Sequence, residues 1–485
     1  MKTILKTMIV LLIFCNFSYS QQVTWQRILE PAGYLHKVQQ IHDGNYVAVG
    51  STWGSNSKIV LIKFNQIGDT LWKRILAPQP KYSYNGFWVE ETYDNGFIIC
   101  GDGPGTVSNG YLIKTDSNGI IDWYKSFGGA DLDQAYCVRQ TNDLGFVITM
   151  RTTSFHSTED IMIVKTDSLG NLQWQKIFDT GAHDNVREVC IIKNSGYIVI
   201  GTTTTINLSS FIYLLRIDLK GDTLWTRKHS IDGFASGASI DTTIDNGFII
   251  GGTTTSQFFS ILKSCIIKTD SLGFIGWKRV FTGNDGEEDC KTIRTILNKG
   301  YVMAGVSDTI GVPFTVSGFV RILNMAGDVI NQKYYNLGND DDYFNSVETT
   351  NDGGFILAGV SKFRNQLSKL YIVKTDSLGF APMKISNGNT IISDKFELFQ
   401  NYPNPFNSQT IIKYQIPFST NIRFSLHDFL GRCISSKILV NLYPGTHQFI
   451  LDALELNLSS GIYFIQLSLT EQSSFTMTKS IVYIK

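Results

Sequence analysis

Short apolar runs follow one another along the first 380 residues, and polar turn sequences separate them. The runs are roughly five to eight residues long and rich in β-branched and aromatic side chains, which favours β-strands. The turns contain glycine in settings such as Asp94-Asn95-Gly96 and Asp167-Ser168-Leu169-Gly170. Runs of this length joined by such turns are typical of antiparallel hairpins. The pattern therefore predicts an all-β protein.

The order of runs and turns repeats along the chain at a nearly constant interval. A basic residue in the third run of each unit recurs every 51 to 53 residues, at Lys63, Lys114, Lys165, Arg216, Lys268, Arg321 and Lys374. A turn glycine follows it at Gly68, Gly119, Gly170, Gly221, Gly273, Gly327 and Gly379. A tryptophan comes four residues after the glycine at Trp72, Trp123, Trp174, Trp225 and Trp277, and the sixth unit has Asn331 there. Units of this length with four strands are typical of propeller blades, whereas solenoid units are normally shorter. The repeats predict a seven-bladed β-propeller with four-stranded blades.

The two ends of the repeat array complement each other. The seventh unit stops at Gly379-Phe380 and lacks a fourth run, while the segment 23–29 (VTWQRIL) matches 71–76 (LWKRIL). We expect the N-terminal strand to complete the last blade, because a closed ring leaves no exposed sheet edge at the seam. The repeated D-x-x-G-x-x-x-W pattern resembles that of secreted bacterial propellers and, more loosely, of quinoprotein-like propellers. This resemblance implies the blade geometry and no activity.

The N-terminus has the pattern of a secretory signal peptide. Lys2 and Lys6 precede an apolar run at 8–14, and Ser18 and Ser20 provide the small residues of a cleavage site after position 20. Cys15 leaves a lipoprotein signal as the alternative, although bulky Phe14 precedes it. No other segment has the roughly 18 uncharged apolar residues of a membrane-spanning helix. We therefore predict an exported chain with a signal peptide at 1–20, a propeller at 21–380 and no transmembrane segment.

A different module follows the repeats. Residues 381–393 (APMKISNGNTIIS) read as a linker, and residues 394–485 contain about six short alternating runs of the kind found in β-sandwiches. On strand pattern alone this module is a small immunoglobulin-like β-sandwich, which suits an adhesive or stalk domain.

Specific residues of this module point to export. The spaced motifs are Tyr402-Pro403-Asn404-Pro405-Phe406-Asn407, a turn with Gly431 and Arg432, a strand that begins at Gly461, and a last strand that ends at Lys485. Together they resemble the type A C-terminal sorting domain of the type IX secretion system. The resemblance implies a Gram-negative bacterium, passage through the periplasm, recognition by the outer-membrane translocon, and removal of the domain by a sortase-like peptidase. The product would be secreted or held at the cell surface.

Composition narrows the range of partners. Lys plus Arg (42) equals Asp plus Glu (42), so the chain has no excess charge to attract nucleic acid. The cysteines after Cys15 include no C-x-x-C pair, and those in the repeats stand at non-equivalent positions, so we expect buried thiols and no disulfide framework. The motifs H-E-x-x-H, G-x-S-x-G and the P-loop are absent from the sequence, and no catalytic residue or cofactor is predicted.

Candidate ligand residues lie in the loops predicted on one face of the ring. Four acids precede the first run of their blades at equivalent positions: Asp133, Asp184, Glu288 and Asp342. Further acids nearby, which make a calcium site conceivable, are Asp285, Glu287, Asp289, Asp340 and Asp341. Loop capping and solvated charge are the simpler interpretation of these acids, because their spacing is not that of an EF-hand.

Aromatic residues in the variable loops of the same face provide a second set of candidates. Trp53, Phe258 and Phe314 have side chains that stack on sugar rings, and sites concentrate on variable loops over a rigid scaffold. The sequence favours an exported binding module for a glycan or a protein. A secreted hydrolase or lyase acting on polysaccharide, or a structural adhesion component, remains the alternative.

Overall fold

The computed structural model describes residues 23–103, 108–156, 158–256, 261–282, 286–308, 316–337, 341–362, 367–382, 396–416, 420–442, 445–456, 458–470 and 476–485. Within these ranges every helix or strand assigned is a β-strand, which confirms the predicted all-β class. The predicted signal peptide and most of the predicted linker lie outside the described residues. In the part of the chain that is described, no helix is long and apolar enough to cross a membrane.

The repeat region consists of 27 strands in the described residues. In chain order they are β1 (Trp25–Gln40), β2 (Tyr46–Thr52), β3 (Ile59–Phe64), β4 (Thr70–Leu76), β5 (Asn85–Glu91), β6 (Phe97–Asp102), β7 (Gly110–Thr115), β8 (Ile121–Phe127), β9 (Asp133–Gln140), β10 (Phe146–Thr152), β11 (Asp160–Thr166), β12 (Leu172–Phe178), β13 (His183–Ile192), β14 (Gly196–Thr204), β15 (Ser210–Ile217), β16 (Thr223–His229), β17 (Phe234–Thr242), β18 (Phe248–Thr255), β19 (Lys263–Thr269), β20 (Ile275–Phe281), β21 (Glu288–Ile296), β22 (Gly300–Asp308), β23 (Val316–Leu323), β24 (Val329–Tyr335), β25 (Asp342–Thr349), β26 (Phe355–Ser361) and β27 (Lys369–Thr375).

These strands pair into antiparallel meanders. Five separate sheets contain four consecutive strands each, β5 to β8, β9 to β12, β13 to β16, β17 to β20 and β21 to β24. A seven-stranded sheet has the order β25-β26-β27-β1-β2-β3-β4, so β1 is shared by two four-stranded units. The first strands of the units, β1, β5, β9, β13, β17, β21 and β25, each contact the first strands of the units on both sides. The first strands thus line a central channel, as in a propeller. The number of blades predicted from the sequence repeats is seven.

Strand β1 closes the ring. Its first half pairs with β27, from Trp25 opposite Lys374 to Leu29 opposite Leu370. Its second half pairs with β2, and the register shifts between Leu29 and Ala32, where the strand passes from one unit to the other. The predicted completion of the last blade by the N-terminal strand is confirmed.

The tryptophan and glycine of the repeat meet between neighbouring blades. Six of the seven turn glycines, all of which have a positive φ, lie beneath the tryptophan of the preceding blade, so a Cβ there would stand 2.5 to 2.9 Å from the indole. The pairs are Trp25 with Gly68, Trp72 with Gly119, Trp123 with Gly170, Trp174 with Gly221, Trp225 with Gly273 and Trp277 with Gly327. Only glycine allows this approach and the left-handed turn together. Where Asn331 replaces the tryptophan, its Nδ2 donates to the carbonyl of Leu378 at 2.8 Å.

The recurring basic residue also has a structural role. In five units its ammonium forms an ion pair of 2.8 to 2.9 Å with the aspartate of the first hairpin turn: Lys63 with Asp43, Lys114 with Asp94, Lys165 with Asp143, Lys268 with Asp245 and Lys374 with Asp352. The same aspartates accept hydrogen bonds from turn amides, as in Gly145 N to Asp143 Oδ1 at 3.2 Å. In these five units the ion pair between lysine and aspartate therefore holds the third strand of the unit to its first hairpin turn.

The C-terminal region forms a separate pair of sheets. Its strands are β28 (Glu397–Leu398), β29 (Gln409–Ile416), β30 (Thr420–His427), β31 (Cys433–Leu442), β32 (Gly445–Asp452), β33 (Gly461–Leu469) and β34 (Thr476–Tyr483). The sheets have the orders β28-β29-β32 and β31-β30-β33-β34. Tyr414 of the first sheet and Phe424 of the second meet edge to face at 4.9 Å in a shared core. This arrangement confirms the predicted small β-sandwich.

Candidate ligand-binding site

The first strand of each unit lines the channel, and we call it the inner strand. Each inner strand has a β-bulge at the same position. The unpaired residues are His36, Phe87, Tyr136, Arg187, Ala238, Lys291 and Asn345, one in each of the seven inner strands. A bulge turns the side chain of its extra residue out of the regular alternation. Here all seven residues line one cavity at the mouth of the channel. We call these residues the bulge ring.

The cavity has a volume of 390 Å³ and opens on the face of the blade-connecting loops. Its wall includes Ser236 and Thr253 above the bulge ring, and its floor includes Lys37, Glu188 and Arg294. This volume lies within the range of small-ligand pockets.

Aromatic rings follow one another along one side of the mouth. Trp53 meets Tyr34 edge to face at 5.9 Å, and Tyr34 meets His36 at 5.4 Å. His36 meets Phe87 at 5.2 Å, and Phe87 stacks on Tyr136 at 5.5 Å with an interplanar angle of 11°. We call these five residues the aromatic arc. The arc brings together rings from three neighbouring blades, and Trp53 at its end is 53% exposed.

The histidine of the arc is an uncharged group. Burial lowers the pKa of His36 to about 4, so its imidazole is neutral at ordinary pH. Its Nε2 is buried and has no hydrogen-bond partner among the described residues. The arc therefore adds ring surface to the mouth and one polar nitrogen, without positive charge.

The rest of the mouth is polar. Arg187 extends from the end of the arc with its guanidinium 5.1 Å from the centre of the Tyr136 ring, and its side chain is exposed. On the far side, Lys291 forms an ion pair with Asp289 at 2.5 Å, and Asp289 also accepts a hydrogen bond of 2.5 Å from Thr253. The mouth thus has an apolar wall that faces charged and hydroxyl groups.

A buried ion network closes the channel below the cavity. Glu188 accepts from Arg294 Nη2 at 2.8 Å and from Arg139 Nη2 at 3.1 Å, although the three residues stand on different blades. Glu348 accepts from Arg294 Nε at 2.7 Å and pairs with Lys37. Burial alone would raise the pKa of Glu348, but Arg294 and Lys37 hold that pKa at about 2. Arg294 and Arg139 likewise lower the pKa of Glu188, so Glu188 and Glu348 are both ionised and paired with cations.

Trp88 adds an aromatic surface to this network. Its ring lies 4.1 Å from the ammonium of Lys37 and 4.8 Å from the guanidinium of Arg139. Arg139 also pairs with Glu90 at 3.0 Å. The ion network, defined as Lys37, Glu90, Arg139, Glu188, Arg294 and Glu348, balances three cations against three carboxylates.

The four acids predicted at equivalent positions lie three residues before the bulge and are fully buried. Asp133 accepts a hydrogen bond from Gly129 N at 2.7 Å, and Asp184 accepts one from Thr180 Oγ1 at 2.8 Å. Glu288 forms an ion pair with Arg321 at 2.7 Å, and Asp342 accepts a hydrogen bond from Leu337 N. None of the four lines the cavity. Three of them thus accept hydrogen bonds from the loops that connect blades and Glu288 pairs with a strand residue, and we do not place the four in the ligand site.

The remaining candidate ligand residues, which are the aromatic residues and the further acids, do not form a single group in the structure. Phe258, Phe314, Asp285 and Asp340 lie outside the described residues. Glu287 is exposed, and Asp341 pairs with Lys362 at 3.3 Å. Asp289 lines the cavity and Trp53 ends the aromatic arc, as described above.

One group of metal-capable side chains is found in the described ranges. It consists of His156, Asp160 and Asp179, whose ligand atoms lie within 4.8 Å of one another. The Nδ1 atom of His156 is already 2.6 Å from Asp160 Oδ2, a hydrogen-bonded ion pair that raises the pKa of His156. This group is not one that the sequence predicted.

The bulge ring was not recognised from the sequence, although the repeats contain a signal for it. Each bulge residue stands two positions before a repeated Val or Ile of the inner strand, and its identity differs in every blade. A repeat position whose residue differs in every blade, at a fixed distance from a recurring Val or Ile, is where a site that breaks the ring symmetry is expected.

The sorting motif of the C-terminal sandwich tethers its first segment to its last strand. Phe406 is buried, and its ring lies 5.2 Å from that of Tyr483. The amide of Phe406 donates to Val482 O at 3.0 Å, and Asn404 Oδ1 accepts from Val482 N at 2.9 Å. The proline-rich segment thus holds the end of the chain by backbone bonds and ring packing.

The second motif closes a hairpin of the sandwich. Gly431 has a φ of 79°, which glycine adopts without strain, and Asp428 Oδ1 accepts from the amides of Leu430 and Arg432 at 2.9 Å each. Arg432 Nε returns to Asp428 Oδ2 at 2.7 Å. The last residue, Lys485, donates its amide to Ser460 Oγ at 2.8 Å, next to Gly461.

Comparison with known proteins gives two results. Residues 400–484 match the family described as "Secretion system C-terminal sorting domain". No match was found among curated protein sequences.

Solved structures with similar architecture include several propellers. The β-propeller domain of the trilobed protease from Pyrococcus furiosus is 11% identical, with a TM-score of 0.40 over 70% of this chain and 95% of that one. The polysaccharide lyase Uly1 is 9% identical, with a TM-score of 0.46 over 71% and 90%. Drosophila Semaphorin 2a is 9% identical, with a TM-score of 0.49 over 94% and 97%. At these values the similarity concerns backbone architecture only.

The sorting domain accounts for the destination of the chain. A domain of this kind at 400–484, joined to a β-propeller, indicates export and a secreted or cell-surface location. The protein is therefore an exported β-propeller that carries a type IX secretion system C-terminal sorting domain.

Proposed function

We propose that this protein is an extracellular carbohydrate-binding module whose ligand site is the cavity at the channel mouth. The observation that carries the proposal is the aromatic arc, which faces polar groups across 390 Å³ of open volume. Sugar rings have apolar faces that stack on aromatic side chains and hydroxyl edges that need hydrogen-bond partners. The arc supplies the first surface, and Ser236, Asn345 and Lys291 supply the second.

The shape of the site favours a chain end or a side branch over an internal segment. The ion network fills the channel directly below the cavity, so a polymer enters from the loop face and stops there. Trp53 lies at the outer end of the arc and extends the stacking surface beyond the cavity.

The carboxylates that line the cavity favour ligand binding over hydrolysis of the ligand. Glycoside hydrolysis needs a pair of carboxyl groups that can act as acid and base. Among the described lining residues the carboxylates are Glu188 and Asp289. Two arginines hold the first, and Lys291 and Thr253 hold the second. Neither is placed to exchange a proton with a substrate.

The test is a binding screen of the purified protein against immobilised polysaccharides and oligosaccharides, followed by calorimetry on the best ligand. Tyr136→Ala removes a ring of the arc and should weaken binding tenfold or more. Tyr93→Ala is the matched control, because Tyr93 is 70% exposed in a hairpin turn on the opposite face. Failure of every glycan to bind, or equal losses in the two variants, would refute the proposal.

Two further proposals follow from the sequence. Calcium binding at the acidic loop residues, including Glu287 and Asp341, predicts a higher melting temperature in calcium than in chelator. Handling by the translocon and a sortase-like peptidase predicts a shortened extracellular form, which mass spectrometry of the secreted protein detects.

A further inference from the structure

The cavity mouth contains one cation that no carboxylate compensates. Arg187 occupies the bulge position of β13, and none of its guanidinium N–H groups has a hydrogen-bond or ion-pair partner among the described residues. Its partner there is the face of Tyr136, at 5.1 Å. Stacking on a ring fixes the guanidinium plane and leaves its N–H edges free for a ligand.

The other charged residues that line the cavity are paired with groups of opposite charge. The ion network balances three cations with three carboxylates, Lys291 is paired with Asp289, and His36 is neutral. Among the described residues that line the cavity, Arg187 is therefore the charged side chain without a partner of opposite charge, and it lies next to the aromatic arc. A low-dielectric wall beside a cation strengthens its attraction for an anion.

We propose that the site prefers acidic sugars, with Arg187 binding the carboxylate or sulfate of a residue whose ring stacks on the aromatic arc. Both anions present oxygen pairs to which the planar guanidinium donates two parallel hydrogen bonds. Lys291, at the same level of the channel, is paired with Asp289 and adds no net charge, so the preference is assigned to Arg187. The inference rests on the proposed function and specifies its ligand class.

The experiment compares polymers that share a backbone and differ in charge. Polygalacturonate is set against its methyl ester, and a sulfated galactan against the same galactan without sulfate, by calorimetry on the full protein. We expect at least one anionic polymer to bind ten times more tightly than its neutral counterpart. The preference should fall when sodium chloride rises from 0.05 to 0.5 M, because the contact is charged and solvent-accessible. The pair that shows the preference identifies the anion as carboxylate or sulfate.

Variants locate the effect. Arg187→Gln should abolish the preference for the charged polymer and retain binding of the neutral one, and Arg187→Lys should retain part of the preference because it keeps charge without the planar fork. Arg227→Gln is the matched control. Arg227 also lies over rings, 5.1 Å from Trp225 and 4.3 Å from Phe274, but belongs to an outer strand away from the cavity. Melting temperatures confirm that each variant is folded.

The outcomes separate the two proposals. Equal affinity for charged and neutral polymers, or equal losses on both in Arg187→Gln, overturns the acidic-sugar inference and leaves carbohydrate binding intact. No binding to any polymer refutes the carbohydrate-binding function itself. Loss of the charge preference in Arg227→Gln also contradicts the assignment to Arg187.

Discussion

Tyr371 donates its hydroxyl hydrogen bond to Gln26 Oε1 at 2.5 Å, across 345 positions of the chain and within a buried environment. The two side chains belong to adjacent strands of the shared sheet, β27 and β1. Gln26 Nε2 in turn donates to the carbonyl of Ala381 at 3.0 Å. Polar groups thus help to fix the strand that closes the ring.

Tyr371→Phe should lower the free energy of unfolding by about 1 to 3 kcal/mol, because it leaves a buried amide oxygen without its donor. Urea denaturation measures the change. Tyr301→Phe is the control, because the Tyr301 hydroxyl is buried without a hydrogen-bond partner among the described residues. We expect that variant to be neutral or more stable, and an equal loss in both variants would contradict a role for the hydrogen bond.

Glu188→Ala should destabilise the protein by about 3 to 5 kcal/mol, since it leaves the buried guanidinium of Arg294 and the partly buried guanidinium of Arg139 without a shared partner. Asp222→Ala removes a carboxylate from the exposed pair with Lys176, where the expected cost is about 0 to 1 kcal/mol. Denaturation of both variants under the same conditions tests this contrast. Similar small losses would show that the ion network contributes little to stability.

Asp342 predicts a specific dependence of stability on pH. Burial raises the pKa of this carboxyl from its ordinary value of 3.8 to about 7. The folded protein therefore holds a proton that the unfolded chain releases, and this contribution to stability is complete below pH 3.8 and lost as pH rises through about 7.

Asp342→Asn keeps an acceptor for Leu337 N but does not titrate. The variant should therefore gain stability relative to the wild type between pH 4 and pH 8, by at most roughly 4 kcal/mol. Melting temperatures of both proteins across this pH range provide the measurement. A constant difference across the range would contradict the raised pKa.

Phe406→Ala should unfold or loosen the sorting domain, because removal of a buried phenylalanine costs about 3 to 5 kcal/mol. We expect faster proteolysis of the C-terminal region and a smaller secreted fraction in cell fractionation. Tyr402→Ala provides the comparison, since Tyr402 is 79% exposed and its loss should leave protease resistance unchanged. Secretion of Phe406→Ala at the wild-type level would contradict the link between this packing and export.

The repeats made the architecture predictable from the sequence. A strand that is buried on both faces appears as a continuous apolar run, such as Val47 to Val49, and the same run recurs in each blade. The tryptophan and glycine could be aligned by spacing alone because they pack together between every pair of blades except one. Ring closure was predictable because the N-terminal segment has the same sequence pattern as the fourth strands.

The ligand site was less predictable because it depends on pairing between strands. The position of a bulge such as that at Arg187 is defined by the register of β13 against β14, which no single run of sequence specifies. The sequence suggests Asp133 and Asp342 as ligand residues because they are acidic. Their hydrogen bonds to backbone amides depend on the folded loops and cannot be inferred from the sequence. Trp53 was identified as an aromatic in a variable loop, whereas its neighbours in the arc come from inner strands.

The sharing of β1 between two sheets has a consequence for assembly. Its two sets of partners lie at opposite ends of the repeat array, and contacts so distant in sequence form slowly because a long loop must close. A chain that emerges with its N-terminus first can build the intermediate blades in order, while residues 25–29 wait for β27. The ring cannot close before β27 is present, and a chain that lacks β27 leaves the first half of β1 without this partner.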